Sequence, residues 1–343
     1  MRYLRSFIVF VLLFLFSCTH FKHKPDRAFY YWRSSYNLAS KDINYLKDVG
    51  VTKLYLHFFD VSWNAELNKP LPVDEIKFAT ERNSKFEYVP VVFIPNKTLE
   101  QLSADSIVVL AKHIYNEVDH LSIENKVEYK ELQFDCDWTD ASRAKYFKLL
   151  TFFHDSLTKL SKTLSATIRL HQVKYADKTG VPPVDRGMLM FYNMGKINST
   201  PGYNSIYNSK DADKYVSYVS NYALPLDVAL PVFSWALLIR GGEAKDVLEK
   251  AVDKDFADTA QFLSAGNNIF VSRGSFLFRG KYFQKSDTVK MEEVTPAICE
   301  EAANNVNCYL KDQKRTISLF EYDSLYLSTY DKKDIEKIYA VSR

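Results

Sequence analysis

The segment Glu131-Leu-Gln-Phe-Asp-Cys-Asp-Trp138 concentrates groups that could do chemistry. Side chains alternate along an extended strand. Leu132, Phe134, Cys136 and Trp138 therefore share one face, and Gln133, Asp135 and Asp137 the other. Two carboxylates at i and i+2 stand roughly 6.5–7 Å apart, from a rise of about 3.3 Å per residue. Their repulsion raises one pKa, which suits acid–base work or cation binding. The alternative is structural, with both carboxylates serving as partners for Arg169, a lysine or backbone groups.

Further polar groups fall where strand patterns end. Asp60 closes Phe58-Phe-Asp, with Trp63 close behind. Arg169 and His171 end Thr167-Ile-Arg-Leu-His, Ser234 and Trp235 end Leu230-Pro-Val-Phe-Ser-Trp, and Glu321 and Asp323 end Leu319-Phe-Glu-Tyr-Asp. Each alone is as readily structural or solvated. Other chemistries lack their signatures. The chain has seven histidines but no His-x-His or His-Glu-x-x-His, and no cysteine pair has zinc-ligand spacing, so no metal site is expected. No Gly-x-Ser-x-Gly elbow is present, and no glycine-rich turn of the dinucleotide type, so no cofactor is expected.

The elements that must position these groups alternate between strand and helix. Strand patterns cover Ala28–Trp32, Thr52–Phe59, Tyr88–Ile94, Glu131–Trp138, Leu164–Leu170, Gly187–Asn193 and a part of Asp227–Leu238. Helical patterns cover Ser40–Val49, Ser103–Val118, Thr139 or Asp140 to about Leu160, Lys210–Tyr222 and most of Ala244–Leu263. A hairpin insertion is expected between about Gly266 and Met291. A helix over Thr295–Leu310, a strand over Thr316–Glu321 and a helix over Asp331–Tyr339 close the chain. Seven or eight βα units with right-handed crossovers predict an α/β fold, a (β/α)8 TIM barrel. A barrel brings all its strand C-termini to one rim, which is where the polar groups above would meet.

The run Phe134-Asp-Cys-Asp-Trp138 resembles the fourth-strand motif of chitinase-like family 18 glycoside hydrolases, in which acids alternate up the strand and end in a catalytic Glu. Asp135 and Asp137 match the alternating acids, Leu132 falls on the first motif acid, and Thr139 stands where the family carries its proton donor. Met190-Phe-Tyr-Asn193 is similar to the family's Met-x-Tyr-Asp, with Tyr192 matching and Asn193 replacing the acid. The resemblance implies sugar chemistry on a barrel. Asp137 would be proton donor or base and Asp135 its pKa-tuning neighbour. Glu321 or Asp60 would be the second carboxyl, and Arg169, His171, Tyr192 and Asn193 would position substrate. A glycosidase holds its two carboxyls about 5–5.5 Å apart for retention or about 6.5–9.5 Å for inversion. Flat rings suit the apolar faces of sugars, and Trp32, Trp63, Trp138, Tyr192 and Trp235 all lie near predicted strand ends. The alternative is a glycan-binding barrel that has lost the catalytic Glu.

The N-terminus adds a location. Arg2 and Arg5 precede the apolar run Phe7–Phe16, too short to span a bilayer core of about 30 Å comfortably. Leu15-Phe16-Ser17-Cys18 resembles a bacterial lipoprotein signal, which implies removal of residues 1–17 and lipidation of Cys18. Residues 18–27 would be a tether and 28–343 the barrel. The protein would be lipid-anchored in the cell envelope, on the periplasmic face of the outer membrane. Without residues 1–17 the chain has 43 basic against 42 acidic residues, so nucleic acid is not an expected partner. A 343-residue chain that is 47% hydrophobic supports a large core and excludes a disordered polymer. Cys299 and Cys308 would lie about 13.5 Å apart along one unbroken helix, beyond disulfide reach. A bridge would require the helix to break near Asn304, Asn305 and Asn307.

Overall fold

A computed structural model of the chain describes residues 23–341. The signal segment and Cys18 lie outside the described residues. Eight parallel strands form a closed ring: β1 (Asp26–Tyr31), β2 (Lys53–Asn64), β3 (Glu87–Phe93), β4 (Glu131–Asp135), β5 (Thr163–Arg169), β6 (Arg186–Met190), β7 (Leu226–Pro231) and β8 (Thr316–Phe320). The ring closes at β1, where Phe29 pairs with Leu54 of β2 on one side and Leu319 of β8 on the other. The strands run in one direction, so the chain enters β1 at one end of the ring and every strand terminates at the other. The second half of β2 also pairs antiparallel with a strand outside the ring, Lys69–Val73.

Helices pack around the ring: α1 (Ser40–Asp48), α2 (Ser106–Glu124), α3 (Asp140–Thr158), α4 (Leu170–Lys174), α5 (Pro296–Asn307) and α6 (Lys332–Val341). α2 buries Ile107, Leu110, Ala111, Ile114 and Val118, the stripe set by its 3.6-residue period. Among the described residues no helix is long and apolar enough to cross a membrane. After β6 the expected Lys210–Tyr222 helix is replaced by two short pieces, Ser209–Ala212 and a 3-10 turn over Val216–Asn221. α5 is continuous from Pro296 to Asn307 and Cys308 caps it. Cys299 is buried, Cys308 is exposed, and both are free.

The inside of the ring is packed, not hollow. Polar side chains climb β4 in layers. Glu131 accepts from Ser165 Oγ at 2.6 Å and pairs with Lys53 at 3.0 Å. Gln133 accepts from the Tyr30 hydroxyl at 2.5 Å and donates to Ser165 at 3.1 Å. Buried polar groups are tolerated here because each has a partner.

The insertion between β7 and α5 is larger than a hairpin. It begins at Ser234 and ends at Glu293, forming a five-stranded antiparallel sheet in the order 243–249, 234–240, 288–293, 269–272, 262–266. A hairpin, Phe276–Phe278 with Lys281–Phe283, covers one side. Phe256, Phe262, Phe276, Phe278 and Phe283 form a second core separate from that of the barrel. The helix expected over Ala244–Leu263 is therefore absent. Ala, Lys, Leu and Glu favour helix locally, but Leu248 pairs with Ala236 and joins the phenylalanine core. Burial outweighs a propensity of a few tenths of a kcal/mol per residue.

Candidate functional site at the barrel mouth

Strand ends bring two carboxyl clusters to opposite walls of one mouth. On the fourth-strand wall, Asp135 ends β4 and turns inward, accepting from Thr167 Oγ1 on β5 at 2.6 Å. Burial holds its carboxyl above the usual range; Arg169 and the Thr167 hydroxyl pull it back, and Asp137 and Asp60 push it up. Asp137 lies past the strand end with its side chain half-exposed. It accepts a two-toothed contact from Arg169 at the end of β5, Nε at 2.5 Å and Nη2 at 3.0 Å. Burial works against the guanidinium charge, yet the hydrogen bonds and charge of Asp137 raise the Arg169 pKa above its ordinary value. His171, exposed on α4, is shifted down by desolvation, opposed by Asp137 and assisted by Arg169.

Thr139 is the N-cap of α3. Its backbone N–H donates to Ser142 Oγ at 3.0 Å, so the position two beyond Asp137 serves a helix terminus. Trp138 faces the helices, buried against Tyr146 and Phe147, with its indole N–H on the Thr179 carbonyl at 2.9 Å. Asp137, Thr139, Arg169, His171, Tyr192, Asn193 and Tyr215 line a cavity of about 470 Å³. Asn193 reaches it from a left-handed conformation, φ 52°, which asparagine tolerates.

The eighth-strand wall is built differently. Glu321 follows β8 and is buried; one carboxyl oxygen lies 3.6 Å from Lys250 and the other, Oε2, has no hydrogen-bond partner. Asp323 pairs with Arg33 at 2.5 Å and with Lys250 at 3.7 Å. Burial pushes the Glu321 carboxyl up to about 7, with Lys250 opposing and Asp323 reinforcing. Arg33 and Lys250 in turn line a second cavity of about 480 Å³ with Trp32, His57, Asp60 and Phe93. His57 and Asp60 are three apart, which would point them to opposite faces of a regular strand. A register shift in β2 between His57 and Phe59 brings them together, Nε2 to Oδ1 at 2.6 Å.

A run of packed aromatic rings connects the walls. Trp32 packs on His57 and Phe320, with ring centroids 4.8 Å and 5.8 Å away. Phe320 stacks on Tyr192 at 5.2 Å and meets Phe233 at 5.8 Å, and Phe233 meets Trp235 at 5.6 Å. Trp235, expected at the end of the seventh strand, lies instead on the insert's 234–240 strand with its indole N–H on Glu292 at 2.9 Å, and lines neither cavity. Trp63 stands elsewhere: it pairs with Pro70 on the strand outside the ring and is not among the residues lining either cavity. Sequence patterns miss Arg33, Phe233 and Lys250. Lys250 follows the insert's 243–249 strand, and only the folded insert carries it back to the mouth.

A closed eight-stranded parallel ring surrounded by helices, with its polar groups gathered at one rim, is a (β/α)8 TIM barrel. No family model matches the chain, and no curated protein matches it. Solved structures do share the fold. The C-terminal domain of a putative chitinase from Desulfitobacterium hafniense is similar with a TM-score of 0.59 and 10% identity over 94% of this chain and 100% of that one. The spore cortex-lytic enzyme SleL of Bacillus cereus gives 0.52 and 13% over 94% of this chain and 75% of its own. The chitinase-like agglutinin of Robinia pseudoacacia gives 0.52 and 15% over 92% and 99%.

Proposed function

We propose that this protein is a lipid-anchored envelope barrel that binds a glycan across its mouth. The observation that carries the reading is the pair of polar cavities at the mouth, each with aromatic rings in its lining, Trp32 and Phe93 in one and Tyr192 and Tyr215 in the other. Ring faces cover the apolar faces of sugars, while carboxylates, amides and guanidinium groups bond their hydroxyls. Binding without hydrolysis at the fourth strand follows from two contacts. Asp137 is neutralised by Arg169, and the family's donor position holds a helix-capping Thr139. The fold neighbours include an agglutinin as well as lytic enzymes. Lipidation of Cys18 would place the barrel in the envelope, where such polymers are found.

Titration calorimetry of the purified protein against chitin, peptidoglycan, cellulose and mannan oligomers tests this. Wild type binds at least one class without releasing reducing ends, and Trp32→Ala weakens binding at least tenfold, about 1.4 kcal/mol. Failure to bind any class would sink the reading. A second reading, hydrolysis, is favoured by Glu321, which carries a proton near neutral pH and has a free oxygen. In that case wild type releases reducing ends, and Glu321→Gln abolishes release by about a hundredfold or more while retaining ligand.

A further inference from the structure

The end of the ring opposite the mouth carries groups that glycan binding does not use. α2, α3 and α5 run back from the mouth to the base, and each leaves a large apolar side chain open to solvent where it arrives. Ile123, in the last turn of α2, is 71% exposed; Leu160, two residues past α3, is 51% exposed; Tyr309, two past α5, is 37% exposed. Backbone hydrogen bonds fix the loops that follow at the base, where β5 and β1 begin. The Thr163 N–H donates to the Lys130 carbonyl at 2.8 Å, and the Asp26 N–H to the Arg315 carbonyl at 2.9 Å.

Lysines flank each of these apolar side chains. Lys126 follows Ile123, Lys159 and Lys162 bracket Leu160, and Lys311 and Lys314 follow Tyr309. Lys162 is held over the Tyr129 ring at 3.5 Å, which joins the first two loops. Lys126, Lys159 and Lys314 are exposed, and the ion pair of Lys314 with Asp26, at 3.5 Å, is open to solvent. Over 123–130, 159–162 and 309–315 stand seven cations against three carboxylates, Glu124, Glu128 and Asp312, although the chain without residues 1–17 is nearly neutral.

A cationic base with apolar tips is built to lie on an anionic bilayer. Lysine and arginine gain from the negative potential of such a surface, an attraction that salt screens. The apolar tips enter the headgroup boundary, and lysine stems lie along it with their ammonium groups in water. Tyrosine suits the same depth, with one apolar end and one wet end. The path of the chain selects this occupant. β1 enters the ring at the base with Asp26, eight residues after Cys18. Lipid on Cys18 would hold the base, and not the mouth, against the membrane.

We propose that the base of the barrel docks on anionic phospholipid, with Ile123, Leu160 and Tyr309 in the headgroup layer and the neighbouring lysines on its phosphates. This goes beyond the glycan reading, and its choice of occupant rests on the proposed lipidation of Cys18. Lipidation sets how far the barrel can stray; the docked base sets which way it points.

Vesicle co-sedimentation of the chain from Cys18 onward, kept unacylated by Cys18→Ser, reads the surface without the anchor. This parent partitions about tenfold or more better onto phosphatidylcholine vesicles holding about 30% phosphatidylglycerol than onto phosphatidylcholine alone. Salt at about 0.5 M removes the difference. Lys126→Gln/Lys159→Gln/Lys314→Gln loses about tenfold or more, and Ile123→Ser/Leu160→Ser about three- to tenfold. A control with the same charge change on the mouth side, Lys210→Gln/Lys254→Gln/Lys285→Gln, stays within about twofold. Equal partitioning of the parent onto both vesicle types overturns the docking surface. Equal losses from the two lysine triples also overturn it, assigning the binding to net charge. Palmitate labelling of the full chain in cells tests the anchor separately: absence of label with partitioning retained removes the anchor and supports the docking surface.

Discussion

The two walls of the mouth treat a carboxyl group in opposite ways. On the fourth-strand wall Asp137 is half-exposed and gripped by both arms of Arg169, at 2.5 and 3.0 Å. Charge-assisted, two-toothed contacts of this kind are short and geometrically specific. On the eighth-strand wall Glu321 is buried, its nearest cation stands 3.6 Å away, and burial dominates. The carboxyl that the sequence motif points to is thus tied to a cation, and the carboxyl that burial pushes up stands across the barrel. Partner distance and desolvation, not residue type or motif position, set the contrast.

Substitutions can break this contrast. The largest expected effect is at Glu321. Its folded pKa of about 7 lies above the usual 4.5, so the unfolded chain releases its proton first. Stability from this group is complete below about pH 4.5, declines as pH rises toward 7, and stays lost above it. Glu321→Gln should therefore gain on wild type by up to about 3 kcal/mol at pH 8, with the gap closing near pH 4. Urea denaturation at both values measures it; a gap independent of pH would remove the asymmetry. Next is Arg169→Ala, expected to destabilise by about 2 kcal/mol, below the range for fully buried pairs because the rim is partly solvated. It also removes the cation that restrains Asp135, whose pKa should rise further by carboxyl-resolved NMR titration. Arg169→Lys should not rescue stability, since an ammonium cannot match both carboxylate oxygens. The smallest effect is Ser142→Ala, about 1 kcal/mol through loss of the acceptor for the Thr139 N–H at the start of α3, with glycan affinity unchanged. A drop in affinity there would tie the α3 terminus to the binding site.

The parts of this molecule that could be read in the chain are those set by local periodicity. Alternation along β4 separates Leu132 and Phe134 from Gln133 and Asp135, and the structure keeps that division. The stripe on α2 and the continuity of α5 follow from the same kind of pattern. What sequence misses is set by contacts between distant segments. Ala244–Leu263 reads as helix because its residues favour helix, and it becomes sheet because Ser234–Arg240 is there to pair with it. Lys250 could not be placed at the mouth without knowing that. Trp63 follows a strand end in sequence, but β2 runs on past the rim, paired with Lys69–Val73. The strand-end rule fails wherever a strand does not stop where its apolar run does.

The common direction of the eight strands also bears on how the molecule would stand on a membrane. With the proposed acyl chains on Cys18, Thr19 to Pro25 would be all that separates lipid from the base of the ring, about 25 Å at full stretch. Attached by its base, the barrel would turn its open end outward from the bilayer. The two cavities of the mouth would then face away from the lipid, at a height above it set by the barrel and its leash together.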